Sequence, residues 1–106
     1  MNTIKHFEKD GHDLVCEWLM ELRDKRARAT VLRRMDRLAS GNFGDHGSCR
    51  NGVWELRIDV GPGYRVYYGM GHQAIILLLC GDDKRKQQAD IRRAVDYWKK
   101  IQRGDQ

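Results

Sequence analysis

The chain has a single proline, only three cysteines and few aromatic residues. No apolar run comes near the ~20 residues needed to cross a bilayer. The longest, residues 74–80, has the length of a strand. The first six residues lack the hydrophobic region of a signal peptide. Cys16, Cys49 and Cys80 are scattered and odd in number, which argues against a disulfide framework and for a reducing cytoplasm. There is no CxxC, no glycine-rich phosphate fingerprint before a helix and no clustered metal ligands. His46 and Cys49 stand three apart without a second such pair, so neither a metal nor another cofactor is expected. Asp10 and His12 read as turn and capping residues rather than as an acid/base pair.

What remains is a basic chain of 106 residues, the size of one domain, with 41% hydrophobic residues and a net charge of +5. An excess of Lys and Arg suits a polyanionic partner, and it equally suits an ordinary positive surface.

Hydrophobic spacing sets the order of elements. Residues 3–7 read as a short edge strand. Asp13 is an N-cap for an amphipathic helix over 13–22 that carries Leu14, Val15, Trp18, Leu19 and Leu22. A second helix over 24–40 has the apolar line Ala27, Val31, Met35 and Leu38 and ends at Gly41. The two are expected to form a helical hairpin laid on a sheet. Residues 41–52 read as a glycine-rich loop. Trp54, Leu56, Ile58 and Val60 alternate with Glu55, Arg57 and Asp59 in the period of a half-buried strand. Gly61-Pro62-Gly63 turns the chain into a returning strand at 64–68, and residues 69–72 turn it again. The unbroken apolar run 74–79 suits a central strand covered on both faces. A C-terminal helix starting near Lys84 carries Ile91, Val95, Trp98 and Ile101. The expectation is an α+β fold in the order β-α-α-β-β-β-α, its sheet mostly antiparallel.

Side chains alternate between the faces of a strand, so the hairpin can be read by parity. With Gly61 to Gly63 as the loop, Val60 pairs with Tyr64, Arg57 lies opposite Tyr67, and Asp59 opposite Arg65. The outer face then carries Glu55, Arg57, Asp59, Arg65 and Tyr67, provided the register holds. Such a cluster can bind and polarise a phosphate. A solvated face with cross-strand ion pairs would look the same in the sequence. Further on, Lys84-Arg85-Lys86 occupies the expected first turn of the last helix, where cations oppose the helix dipole. Either a phosphate docks there or Asp82 and Asp83 neutralise the charge.

The strand Gly52-Val53-Trp54-Glu55-Leu56-Arg57, the strand Gly63-Tyr64-Arg65-Val66-Tyr67-Tyr68, and the apolar strand running through Gly81 into a basic turn resemble the RelE/HigB-type toxins of bacterial toxin–antitoxin systems, in particular the phage-related addiction module killer branch. The resemblance implies a microbial-ribonuclease-like domain that enters the ribosome and cleaves mRNA without a metal. By position it gives Arg65 and Lys84 to phosphate stabilisation, with Arg85 and Lys86 as neighbouring alternatives, and Arg57 to RNA positioning. It also implies an antitoxin partner, often a helix-turn-helix protein encoded by an adjacent gene. No histidine or tyrosine stands where some relatives carry one near the last strand, since Cys80, Gln87, Gln88 and Ala89 are found there. Tyr67, then Glu55, are the substitute candidates for proton transfer. A gyrase-directed toxin of the related ParE branch and a non-catalytic basic RNA- or protein-binding module are the competing expectations.

Overall fold

A computed structural model describes residues 2–104, which leaves Met1 of the N-terminal reading outside the described residues. The fold is α+β. Strands β1 (Thr3–His6), β4 (His46–Arg50), β5 (Val53–Ile58), β6 (Tyr64–Gly71) and β7 (Ala74–Gly81) form a five-stranded sheet in the order β1-β7-β6-β5-β4. All of its pairings are antiparallel except β1 with β7. Two-residue strands β2 (Glu8–Lys9) and β3 (His12–Asp13) make a small separate hairpin. Helices α1 (Leu14–Glu21), α2 (Lys25–Leu38) and α3 (Gln87–Gln102) complete the domain. Among the described residues no helix is long and apolar enough to cross a membrane.

The helices start where short acidic side chains satisfy otherwise unpaired amides. Asp13 accepts from the Cys16 amide at 3.0 Å, and Asp24 accepts from the amides of Arg26 and Ala27. Gly41 ends α2 with a φ of +82° while its amide bonds back to Leu38. The apolar lines of α1 and α2 meet one face of the sheet. There Val15, Leu19, Val31 and Leu38 pack with Leu56, Val66, Tyr68 and Leu77.

The other face is not solvated, because α3 lies across it. Ile91, Val95 and Trp98 pack there against Val53, Tyr67, Leu78 and Leu79. A bulge in β7 opposite Tyr67 and Tyr68 turns the successive residues Leu78 and Leu79 toward α3, so the apolar run serves both layers. Trp98 lies flat on Gly69, where any Cβ would overlap its indole ring.

Four expectations change. Residues 46–50 are not loop but the edge strand β4, joined to β5 by Asn51-Gly52, with φ of 53° and 85°. Those values fit a two-residue type I′ turn, for which Asn-Gly is the strongest short signal. The strand escaped a hydrophobic reading because an edge strand of glycine and polar residues needs only its backbone to pair. Second, the β5–β6 hairpin closes at Ile58 with Tyr64, leaving residues 59–63 as a longer loop. Third, β6 continues through Gly69 to Gly71, and the turn is His72-Gln73. Fourth, residues 84–86 form a separate 3₁₀ turn, and α3 begins only at Gln87.

The contact between α3 and the sheet yields a direct test. Gly69→Ala should lower stability by about 1–3 kcal/mol through overpacking against Trp98. Gly71→Ala, whose Cβ would meet nothing nearer than the Ala74 carbonyl at 3.9 Å, should change it by less than about 1 kcal/mol. Urea unfolding of both variants checks the difference.

Candidate functional site

The observed register differs from the expected one by two residues, which keeps parity. Glu55 faces Tyr67 and Arg57 faces Arg65, while Asp59 leaves the ladder and has no Arg65 opposite it. Four of the five outer-face residues therefore share one face, and the anticipated Asp59–Arg65 pairing is replaced by two arginines side by side. Between this face, the 59–63 loop and the start of the C-terminal segment lies a cleft of about 320 Å³. Asp45, Glu55, Arg57, Asp59, Arg65, Lys84 and Gln87 line it, so Asp59 stays at the site although it leaves the ladder.

Arg57 is tied down on three sides. Its Nε donates to Asp45 Oδ1 at 3.0 Å, Nη1 to Glu55 Oε1 at 3.1 Å, and Nη2 to the His46 carbonyl at 2.9 Å. The guanidinium lies against Gly47 of β4, where a Cβ would sit 2.8 Å from Nη1. Hydrogen bonds to Glu55 and Asp45 hold its pKa above the ordinary arginine value. The side chain is still 43% exposed, so an anion in the cleft can reach it.

Glu55 is buried beside it. Its Oε2 accepts from Gln87 Nε2 at 3.4 Å and from the Cys49 thiol at 3.7 Å. Burial, and after it the Glu55 charge, push the Cys49 thiol up to about 11. Cys49 is therefore a protonated donor to Glu55 near neutral pH rather than a nucleophile. His46 bonds through Nδ1 to the Gly44 carbonyl at 2.9 Å and packs by its ring against Phe43 and Trp54. Among the described residues no group of three or more His, Cys, Asp or Glu is placed to hold a metal ion.

Arg65 is 8% exposed, donates through Nε to the Tyr67 hydroxyl at 3.1 Å, and has a buried Nη2 without a hydrogen-bond partner. A buried, unsatisfied guanidinium nitrogen at the edge of a cleft is costly unless something fills it. Tyr67 is fully buried behind Arg65 and is not part of the cleft lining. Burial pushes its phenol up to about 12 against the opposing pull of Arg65. It is thus a neutral support for Arg65.

The three basic residues of the 3₁₀ turn separate. Lys84 is exposed and lines the cleft. Arg85 turns back to Asp83, with Nε and Nη2 each 3.2 Å from its carboxylate, and Asp83 also accepts from the Arg85 amide. That pairing holds the Asp83 carboxyl below its ordinary pKa. Lys86 is exposed at the N-cap of α3 and does not line the cleft. Local neutralisation accounts for Arg85, and Lys84 alone of the three faces the site. Asp45, His46 and Gln87 were missed in the sequence. Asp45 precedes and His46 opens the unrecognised β4, which Asn51-Gly52 could have revealed; for Gln87 there was no signal.

No protein-family model matches the chain. Over 77 residues it is 48% identical to an uncharacterized protein of Haemophilus influenzae, an alignment that covers 73% of this chain and 78% of that one. The chain belongs to the same family as that protein.

The Cys49–Glu55 contact makes a prediction. In the native protein at pH 8, alkylation of exposed Cys16 should be complete well before that of Cys49, and Glu55→Gln should speed the Cys49 reaction by removing one cause of its raised pKa. Peptide mass spectrometry over a time course measures both. Equal rates at the two cysteines of the wild type would contradict the described environment.

Proposed function

We propose that this protein is the toxin of a toxin–antitoxin module, an endoribonuclease that cleaves mRNA on the ribosome in the cytoplasm. The observation that carries the reading is the pairing of Arg57 with Arg65 across one ladder position, together with Lys84, around a cleft in which Arg65 Nη2 lacks a partner. These three cations share the cleft with the carboxylates of Asp45, Glu55 and Asp59. The cations can bind a phosphodiester and stabilise charge in its transition state while a carboxylate handles the proton. The motif resemblance supplies the reaction class. The ribose 2′-OH attacks the adjacent phosphorus, the P–O5′ bond breaks, and a 2′,3′-cyclic phosphate and a 5′-OH end result.

In this scheme Arg65 and Lys84 stabilise the charge on the phosphorane oxygens, and Arg57 positions the RNA. Glu55 is the base that takes the 2′-OH proton, since it lines the cleft and Tyr67 does not, and the leaving 5′-oxygen takes its proton from solvent water. Phosphate binding to Arg57 would loosen the Arg57–Glu55 bond and expose the carboxylate where it is needed. An antitoxin from an adjacent gene, of the helix-turn-helix kind, would hold the protein inactive.

Expression in a bacterial host should arrest growth, and mRNA in a translating extract should be cut. Arg65→Ala should relieve the arrest and slow cleavage by roughly 10²–10³-fold, the range for removing one preorganised charge-stabilising donor. Growth arrest with intact mRNA overturns the reading. DNA breaks in that case would point to gyrase, and harmless expression with retained RNA binding to a non-catalytic module.

A further inference from the structure

Arg65 is a buried guanidinium whose described polar contact is the phenol of Tyr67, a neutral group. Buried charges are normally matched by an opposite charge. The candidate for that role comes from α3. Asp90, in its first turn, is 8% exposed, and it is a carboxylate to which no sequence motif draws attention.

Its placement depends on a glycine. Gly81 of β7 is the ladder partner of Arg65. A Cβ on Gly81 would overlap Asp90 Oδ2 and would lie 3.8 Å from Cε2 of Tyr67. The carboxylate of Asp90, the ring of Tyr67 and the backbone position opposite Arg65 therefore meet over one residue that has no side chain. We infer that Asp90 is a positioning residue, the counter-ion that holds the Arg65 guanidinium oriented toward the cleft by charge across Gly81.

Two other features could account for a carboxylate at this point. The first turn of a helix favours negative charge, and Arg93 Nη1 lies 3.7 Å from Asp90 Oδ1. Neither requires burial. A first-turn carboxylate satisfies the dipole from the surface, and Arg93 is itself half exposed. Burial, and more weakly the Asp82 charge, raise the Asp90 pKa, and the charges of Arg93, Arg65 and Lys86 oppose that rise, so Arg65 is among the groups that favour the carboxylate. The attraction is mutual. The orientation leaves Arg65 Nη2, which has no hydrogen-bond partner, available to an anion in the cleft beside Lys84 and the exposed side of Arg57.

That Asp90 thereby serves RNA cleavage rests on the function proposed above, and the test separates the two. Asp90→Asn removes the charge and keeps the volume. In ¹⁵N-labelled protein the Arg65 Nε–Hε resonance should shift and exchange faster with solvent, while the melting temperature stays within about 5 °C of the wild type. RNA cleavage should fall by ~10–100-fold, the scale of misplacing a catalytic group, with kcat carrying most of the loss and KM little. Arg93→Ala should leave the Arg65 resonance and the cleavage rate unchanged. An unmoved Arg65 resonance in folded Asp90→Asn, or an Arg93→Ala variant that reproduces the loss, overturns the inference.

Should Asp90→Asn fail to fold, acid titration of the wild type decides the matter. The Asp90 carboxyl carbon and Arg65 Nε should move with a common midpoint. Separate midpoints for Asp90 and Arg65 overturn the inference. If the wild type cuts no RNA, the RNA reading fails, and the Arg65 resonance alone judges Asp90.

Discussion

Arg57 and Arg65 stand directly opposite each other on neighbouring strands, and like charges in that relation repel. The surroundings read as answers to this one constraint. Arg57 is drawn to Asp45 and the His46 carbonyl on the β4 side of the cleft and to Glu55 of its own strand. Arg65 is held back under α3 by Tyr67. Gly47 and Gly81 leave room for the Arg57 guanidinium and for the Asp90 carboxylate, respectively. Two cations are thereby kept apart, each with its own support, around a space that an anion can enter.

That arrangement needs a covered sheet. If the face were open to water, both arginines would be solvated and Arg65 would have no reason to leave a nitrogen unpartnered. Trp98 on Gly69 and the apolar row of α3 exclude solvent from Tyr67 and from the stem of Arg65. They leave Arg57 and Lys84 at the accessible rim. The C-terminal helix thus sets the electrostatic character of the cleft as well as completing the second core layer.

The parts of the fold legible in the sequence were those written as hydrophobic period. The α2 line Ala27, Val31, Met35 and Leu38 is buried in full, and the alternation over residues 54–58 and 64–68 assigns each of those residues to its observed face. What escaped notice was written in backbone terms. The edge strand β4 is polar and glycine-rich, and only the Asn51-Gly52 turn announces it. The register was displaced by two because the glycines at 61 and 63 suggested a tighter loop than the one that forms. Parity survived this shift, since an even displacement keeps each side chain on its face. That is why Glu55, Arg57, Arg65 and Tyr67 were grouped correctly although their partners were not. Asp90 and Gln87 could not be found in this way, because their roles arise from how α3 docks rather than from any spacing within the chain.

If the Arg57–Arg65 cleft takes a phosphodiester, as proposed, binding shows it without relying on turnover. A short RNA with 2′-O-methyl groups, which cannot be cleaved by internal attack, can be titrated into protein labelled at arginine while the Nε–Hε resonances are followed. Saturable shifts are expected at Arg57 and Arg65 at concentrations that leave Arg33 and Arg37 of α2 unmoved. Shifts spread evenly over the α2 arginines, with none at Arg65, would contradict the proposal.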